Sequence, residues 1–234
     1  MASKTWIEYL KKPQLTHPIA IVGSPGLRSV GKVAIDHLVK SLGAEIFAEL
    51  HSTHFPTIFY TKASYAPDPS LPGEAGVKVG SEGVELPKIQ FWYTAAPQLI
   101  ITEGYHADFK GQYEVAEETL ALYEEFKVKR LIVLAGYGTR GKAVCCAASE
   151  AKIIEELKES YGIEPGYIGP FYGFSGLVFG LAKSRGMEAF CLFGRTEPIL
   201  DDPEYPDEEA AATLLKHLEQ ILRLNSSKPY ESHS

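Results

Sequence analysis

The feature that most constrains the fold is the alternation of short apolar runs with amphipathic segments of helical period along the 234-residue chain. The apolar runs are 18–22, 45–50, 57–61, 89–93, 98–102, 130–135 and 188–193. Several are apolar almost throughout, as is typical of strands covered on both faces. The amphipathic segments predict helices at 30–42, 111–127, 143–160, 173–185 and 207–223. This alternation predicts one α/β domain with a mostly parallel sheet flanked by helices.

Composition excludes several classes of protein. A net charge of −7 argues against a nucleic-acid groove or an anionic membrane surface as partner. No apolar run approaches the ~20 residues of a membrane-spanning helix, and the start MASKTWIEYLKK lacks the apolar core of a signal peptide. Cys145, Cys146 and Cys191 show no zinc-site spacing, and we expect reduced thiols in a cytoplasmic protein without a metal or cofactor.

Two stretches are expected to be irregular. Residues 62–88 are rich in proline and glycine and predict a long surface excursion within one domain, because apolar runs resume on both sides. Residues 225–234 are polar and predict a mobile tail. The expected unit is a single domain over residues 1–234, with its core at about 15–223.

The segment GSPGLRSVGKV directly follows the first of these apolar runs. From Gly26 it reads G-x-x-x-x-G-K-V, whereas a phosphate-binding loop ends in Ser or Thr because that hydroxyl binds magnesium. Val33 carries no oxygen, and Pro25 has no N–H to donate to a phosphate. We therefore interpret the segment as a strand-to-helix turn whose glycines allow tight curvature and close packing.

A second motif, YGFSGL, resembles the nucleophile elbow G-x-S-x-G of serine hydrolases, but Leu177 replaces the second glycine. Asp202 and His217 follow Ser175 in the order of a hydrolase triad. His217 falls inside the last predicted helix, whereas an acid–base histidine has to be presented at the end of the sheet. Ser175 is more simply a residue that caps the start of a helix.

Two polar loops, TEGYHAD and AGYGTRG, each follow an apolar strand, and ligands bind to open α/β sheets at the carboxyl ends of their strands. We therefore expect His106 and Asp108 of the first loop to line the same cleft as the residues that follow. The residues of this candidate ligand cleft are Gly26, Lys32, Glu103, Tyr137, Arg140 and Ser175. The alternative is that the glycines serve turns and the charged groups are solvated. The positions assigned to fold-defining turns are Gly23, Pro25, Gly31, Gly136, Gly138 and Gly176.

Several blocks taken in order resemble the archaeal branch of the proteasome assembly chaperone family, across nearly all of residues 15–223. The blocks are IAIVGSPGLRSVGKVAIDHLVKSLGAEIFAEL, HSTHFPT, QLIITEGYHADFKGQYEVAEETL, VKRLIVLAGYGTRG, YGFSGLVFGLAKSRGMEAFCLFGRTE and the last helix after DDPEYPDEEAAATLL. The family's P-G-x-x-x-V-G-K-x-A turn falls on the opening segment. Its other turns and helix starts fall on Gly104, Gly111, Gln112, Tyr113, Gly136, Tyr137, Gly138, Ser175, Gly176 and Leu177.

The resemblance implies a three-layer, phosphorylase/hydrolase-like α/β fold and a self-associating subunit that binds proteasome subunits, with no established catalysis. Some family members end in a hydrophobic–Tyr–any docking triplet, whereas here Pro229-Tyr230-Glu231 is followed by three more residues. This favours the tail-less type, which acts with a partner chaperone. We therefore expect a homo-oligomeric chaperone or scaffold that binds proteasome subunits or client proteins during proteasome assembly and is not an enzyme. A small-molecule-binding or hydrolytic enzyme using the cleft is the alternative.

Overall fold

The structure of the protein is a computed structural model that describes residues 5–55, 78–81, 83–105, 111–139, 144–167, 169–203 and 205–224. Within these residues the chain forms ten strands and five α-helices. The strands are β1 (Thr5–Tyr9), β2 (Ile19–Gly23), β3 (Glu45–Ser52), β4 (Lys78–Gly80), β5 (Gly83–Glu85), β6 (Ile89–Ala95), β7 (Gln98–Glu103), β8 (Arg130–Gly138), β9 (Val144–Ala148) and β10 (Glu188–Thr196). The helices are α1 (Val30–Leu42), α2 (Gln112–Glu125), α3 (Ala151–Tyr161), α4 (Gly173–Ser184) and α5 (Glu208–Leu222).

Eight strands form one sheet in the order β1-β3-β6-β7-β2-β8-β10-β9, and β4 and β5 form a separate hairpin. The predicted parallel pairing holds for the four central strands β7, β2, β8 and β10. The outer strands pair antiparallel, so the sheet as a whole is mixed. Only Ala96 and Pro97 connect β6 to β7, which is too short for the crossover that a parallel pair needs.

Two apolar layers enclose the sheet and confirm the predicted three-layer α/β architecture. Alternate side chains of each central strand point to opposite sides, so Val22 packs toward α2 and α4 while Ile21 packs toward α1, α3 and α5. Both side chains are fully buried. Burying one such side chain contributes about 1.5–3 kcal/mol, and rows of them on both faces hold the helices against the sheet.

Most predicted elements appear near their expected positions, and α1 has the predicted bounds. Its stripe of Val30, Ala34 and Leu38 is buried, and Gly43 ends it in the left-handed conformation, which glycine adopts without strain. Asp207 is the N-cap residue of α5, and its side-chain Oδ1 accepts a hydrogen bond from the backbone N–H of Ala210 at 3.0 Å.

The prediction of one helix over 143–160 is wrong in its first part. Residues 144–148 form β9, which pairs antiparallel with β10, and α3 begins only at Ala151. The run Val-Cys-Cys-Ala-Ala is too short and too uniformly apolar for its period to distinguish strand from helix. The predicted strand at 57–61, residues 62–77 of the predicted excursion and the predicted tail 225–234 lie outside the described residues.

The close contact between α1 and the sheet generates a first prediction. A Cβ at Gly31 would lie 2.3 Å from the carbonyl oxygen of Leu134, and neither backbone has room to move aside. We expect Gly31→Ala to lower the free energy of unfolding by about 1–3 kcal/mol through overpacking, as measured by urea denaturation.

Gly180 provides the matched control, because it lies on the exposed side of α4 with nothing within 4 Å of an added Cβ. Gly180→Ala should raise the free energy of unfolding by about 0.5–1 kcal/mol, the usual gain within a helix. Equal effects of the two substitutions would contradict the steric explanation.

Candidate functional site

The turn between β2 and α1 brings three backbone segments together. A Cβ at Gly23 would lie 2.5 Å from the carbonyl oxygen of Gly31, and Gly31 in turn abuts Leu134 of β8. Gly26, in contrast, has an extended φ of 174°, and an added Cβ would meet only the Ser24 carbonyl oxygen at 4.0 Å. Steric packing therefore requires glycine at two positions of the turn but not at Gly26, the first glycine of the phosphate-loop pattern.

The lysine of the turn is held by two carboxylates. The Lys32 ammonium nitrogen lies 2.8 Å from Asp36 Oδ2 and 2.9 Å from Glu103 Oε1. Burial lowers the pKa of Lys32, but the two carboxylates raise it by more, so the net shift is upward. The lysine therefore serves as the cation of an internal charge cluster.

A pocket of about 460 Å³ opens at the carboxyl ends of β2 and β8. We call it the carboxyl-end pocket. Its lining residues are Ser24, Pro25, Gly26, Leu27, Gly31, Leu134, Ala135, Gly136, Tyr137, Gly138, Tyr167, Pro170, Phe171, Tyr172, Gly173 and Ser175. None of these described residues carries an ionised side chain, so its polar character comes from hydroxyl groups and backbone dipoles.

The structure brings together part of the candidate cleft. Gly26, Tyr137 and Ser175 line the carboxyl-end pocket, whereas Lys32 and Glu103 pair with each other outside its lining. Arg140, like His106 and Asp108, lies outside the described residues. Of the predicted turn positions, Pro25, Gly31, Gly136 and Gly138 line the pocket. Gly23 lies beneath the start of α1, and a Cβ at Gly176 would meet the Phe171 carbonyl oxygen at 2.1 Å.

The hydroxyl of Ser175 pairs with that of Ser24, with 2.8 Å between the two oxygen atoms. Both serines are buried. His217 lies on α5, on the opposite side of the sheet from α4, and its Nδ1 is 2.9 Å from the Thr213 carbonyl oxygen. The fold therefore does not bring Ser175 and His217 together as the triad interpretation requires.

Aromatic rings form a wall of the pocket, and the sequence interpretation included Tyr137 of this wall but not Tyr167 or Phe171. The Tyr167 ring stacks on Phe193 with centroids 4.5 Å apart and meets Tyr137 edge-on at 4.9 Å, while Phe171 packs on both Tyr167 and Phe193. Burial raises the pKa of Tyr167, and its hydroxyl donates to the Pro170 carbonyl oxygen at 2.6 Å. The aromatic cluster in YIGPFYG, between α3 and α4, was the available signal.

Arg28 forms hydrogen bonds to the segment that connects β10 to α5. We call this segment the 197–207 loop. The Arg28 guanidinium donates to the carbonyl oxygens of Glu197 at 2.7 Å, Tyr205 at 2.7 Å and Pro206 at 3.4 Å. The backbone N–H of Asp207 also donates to the Arg28 carbonyl oxygen at 2.9 Å. Arg28 makes these contacts from a left-handed backbone conformation with φ of 52°.

Large apolar side chains are exposed at Tyr172 of the pocket lining and on the 197–207 loop, whose Pro198 adjoins Gly138 of that lining. Leu200 is 94% exposed and Tyr172 is 80% exposed, and Ile199 and Tyr205 of the 197–207 loop are exposed as well. Exposed apolar groups clustered beside a pocket are typical of protein-binding surfaces.

No group of three or more potential metal-binding side chains occurs in the part of the chain that the structure describes. None of the helices described there is long and apolar enough to cross a membrane.

Comparison with known proteins gives consistent matches over most of the chain. The model of the PAC2 family matches residues 20–230. The structure of Pyrococcus furiosus PbaB, an archaeal proteasome activator, is 30% identical with a TM-score of 0.77 and covers 95% of this chain and 90% of that one. The structure of Pyrococcus furiosus PbaA, an archaeal homolog of proteasome-assembly chaperone, is 23% identical with a TM-score of 0.72. The match covers 94% of this chain and 83% of that one. The uncharacterized protein MJ1210 of Methanocaldococcus jannaschii is 28% identical over 81% of this chain and 69% of its own length.

The charge cluster generates a second prediction. Lys32→Met should lower the free energy of unfolding at neutral pH by about 1 kcal/mol, because the partly buried Glu103 carboxylate and the more exposed Asp36 carboxylate lose their shared cation. Because Asp36 and Glu103 raise the pKa of Lys32 in the folded state, the wild-type lysine contributes stability below its unfolded pKa as long as these partners are ionised, and the contribution is lost as the pH rises through the folded pKa. The deficit should shrink toward about pH 4, because burial raises the pKa of Asp36 and this partner of Lys32 is protonated there. A deficit independent of pH, in denaturation curves at both pH values, would contradict this role.

The anchored loop generates a third prediction. Arg28→Lys keeps the charge, but the N–H donors of an ammonium group all radiate from one nitrogen and do not reproduce the planar fork whose Nε, Nη1 and Nη2 reach three separate carbonyl oxygens. Losing about 1.4 kcal/mol of charged hydrogen bonding should speed amide hydrogen exchange in the 197–207 loop roughly tenfold, with little change in the core. Arg185→Lys is the control, because Arg185 pairs with Glu117 and Glu124 instead. Unchanged exchange in the Arg28→Lys variant would show that the loop is held by other contacts.

Proposed function

The chain belongs to the PAC2 family, and from this we propose that it acts as a chaperone that associates with itself and binds proteasome subunits during assembly or activation of the proteasome. The observation that carries the proposal is the match to PbaB, described as an archaeal proteasome activator, at 30% identity over 95% of the chain. The resemblance to the proteasome assembly chaperone family is thereby confirmed.

The surface at the carboxyl ends of the strands supports a role in protein binding. It combines exposed Leu200 and Tyr172 with a pocket whose described lining carries no charge. Apolar and aromatic groups of this kind contribute most of the affinity in protein interfaces. The hydroxyl, lysine and arginine groups nearest the pocket are instead engaged with protein partners.

We also place the protein in the cytoplasm. Cys145, Cys146 and Cys191 are free and buried, which suits a reducing compartment. Burial raises the pKa of each thiol, and for Cys191 the neighbouring thiols add to the rise, so all three behave as apolar side chains at neutral pH.

Ligand binding in the carboxyl-end pocket is a second candidate function. Its volume of about 460 Å³ falls within the range of about 300–1,000 Å³ that is usual for small-molecule sites. Thermal-shift measurements with nucleotides, nucleosides and phosphate distinguish the two functions. A ligand at a hundred times its Kd stabilises the folded state by about 2.7 kcal/mol, whereas a chaperone that does not use the pocket for a ligand should show no shift.

The proposed function gives a fourth prediction. Light scattering of the purified chain should show a mass greater than one subunit. Mixing it with proteasome α-subunits from the same source should produce a heavier complex than either component alone. An unrelated acidic protein of similar net charge is the control for nonspecific association. A chain that leaves the mass of the α-subunits unchanged would contradict proteasome binding.

A further inference from the structure

The carboxyl-end pocket combines aromatic walls with a pair of buried hydroxyl groups, and we propose that it binds an uncharged planar ring with a lactam edge. In such an edge a ring carbonyl lies beside a ring N–H, as in the base of inosine. The inference rests on ligand binding in this pocket, the second candidate function above, and names the class of the ligand. It does not depend on the binding of proteasome subunits.

One wall of the pocket is a set of aromatic rings that support one another. The centroid of the Tyr167 ring lies 4.9 Å from that of Tyr137 and 5.8 Å from that of Phe171. All three rings also contact the buried ring of Phe193. Aromatic rings prefer to meet a further ring in an offset-stacked or edge-to-face arrangement. Because these rings already hold one another in place, a planar ligand gains this contact without having to order the wall.

Tyr172 adds a ring at the exposed side of the pocket. It belongs to the lining, yet the residue is 80% exposed. A planar ligand that stacks on this ring covers it, and the stacking of a base on an aromatic side chain contributes to affinity whatever the base. The exposure also means that Tyr172 contributes little to the core, so it can be substituted to test the pocket without disturbing the fold.

The hydroxyl groups of Ser24 and Ser175 supply the hydrogen-bonding part of the site. Both serines line the pocket, their residues are 7% and 6% exposed, and their oxygen atoms are 2.8 Å apart. Each hydroxyl carries one hydrogen, and the contact between them uses only one of the two. The second hydrogen has no acceptor among the described residues. Buried hydroxyl groups are normally hydrogen-bonded, and a carbonyl on a ligand would supply the acceptor that is needed here.

The serine pair presents a donor and an acceptor side by side. One hydroxyl donates its free hydrogen, and the lone pairs of the oxygen atoms accept a hydrogen from the ligand. The matching edge of a ring is a carbonyl next to an N–H, because the carbonyl accepts the first bond and the N–H donates the second. A ring without the N–H makes only one of these two bonds. The pair therefore selects a lactam over a ring of the same size that lacks one.

The ligand is uncharged because the pocket offers no counterion. None of the described lining residues carries an ionised side chain. Lys32 is engaged by two carboxylates, and Arg28 donates to carbonyl oxygens of the 197–207 loop. A phosphate group would therefore enter without a cation to balance it, and the net charge of −7 opposes its approach. A nucleoside fits this pocket better than the corresponding nucleotide.

Isothermal titration calorimetry of the full chain tests the class of ligand with three probes. Inosine carries the lactam edge, purine riboside lacks it, and inosine monophosphate adds a charged group. Inosine should bind at least about tenfold more tightly than either of the other two, because they lose a buried hydrogen bond or bring an unpaired charge. Inosine that does not bind, or that binds no more tightly than either of the others, would overturn the inference.

Two variants test the residues of the site. The double variant Ser24→Ala with Ser175→Ala removes both partners of the pair, and replacing both partners by apolar groups costs little stability. It should bind inosine about tenfold more weakly and no longer distinguish it from purine riboside. Tyr172→Ala should weaken the binding of inosine about tenfold by removing the stacked ring. Tyr113→Ala is its matched control, because Tyr113 is also an exposed tyrosine but lies on α2 outside the pocket lining, and it should leave the dissociation constant unchanged.

The remaining outcomes separate this inference from the two proposed functions. Unchanged binding of inosine in the serine and Tyr172 variants, or an equal loss in Tyr113→Ala, would overturn the inference. Binding of inosine monophosphate or inorganic phosphate without inosine would overturn it too, but would leave ligand binding as a function of the pocket. Association with proteasome α-subunits is measured separately by light scattering. Inosine binding without that association supports the inference and contradicts the chaperone, whereas association without inosine binding does the reverse.

Discussion

The contact on which the rest of the structure depends is the close approach of three backbone segments at Gly23, Gly31 and Leu134. It seats the start of α1 directly over the carboxyl ends of β2 and β8, with no side chain between them. Two features of the site follow from that placement. Arg28 reaches the 197–207 loop because it lies in the turn that precedes α1, and Lys32 reaches Glu103 because it lies in the first turn of the helix. A larger residue at Gly31 would move all of these groups outward together.

The polar groups around this contact are used to hold the fold. Lys32 pairs with two carboxylates, Arg28 with three carbonyl groups, and Ser24 with Ser175. What they leave at the carboxyl ends of the strands is a pocket of aromatic rings, hydroxyl groups and backbone. This division of roles agrees with a chaperone of the PAC2 family.

The central architecture could be predicted from the sequence because the spacing of apolar residues and the residues that end each element indicated the same structure there. The bounds of α1 could be predicted because a stripe at 30, 34 and 38 is followed by Gly43, and both signals indicate the same helix. The spacing of apolar residues could not identify β9, because a five-residue apolar run fits either a strand or a helix. The aromatic wall was missed because Tyr167 and Phe171 lie in an irregular segment without period. The cleft was only partly predicted, since motif position places Lys32 near the strand ends but does not show that its ammonium faces two carboxylates.

The likeness of the opening turn to a phosphate-binding loop shows how one pattern can satisfy two physical requirements. In a phosphate cradle both glycines are needed so that backbone N–H groups can surround the anion. Here Gly31 is required by the carbonyl oxygen of Leu134, whereas the space around Gly26 would accept a side chain. The lysine is likewise explained by Asp36 and Glu103, and Val33 lies buried where a hydroxyl would bind magnesium. Because packing accounts for Gly31 and Val33 and internal charge accounts for Lys32, the pattern identifies a way of joining strand to helix.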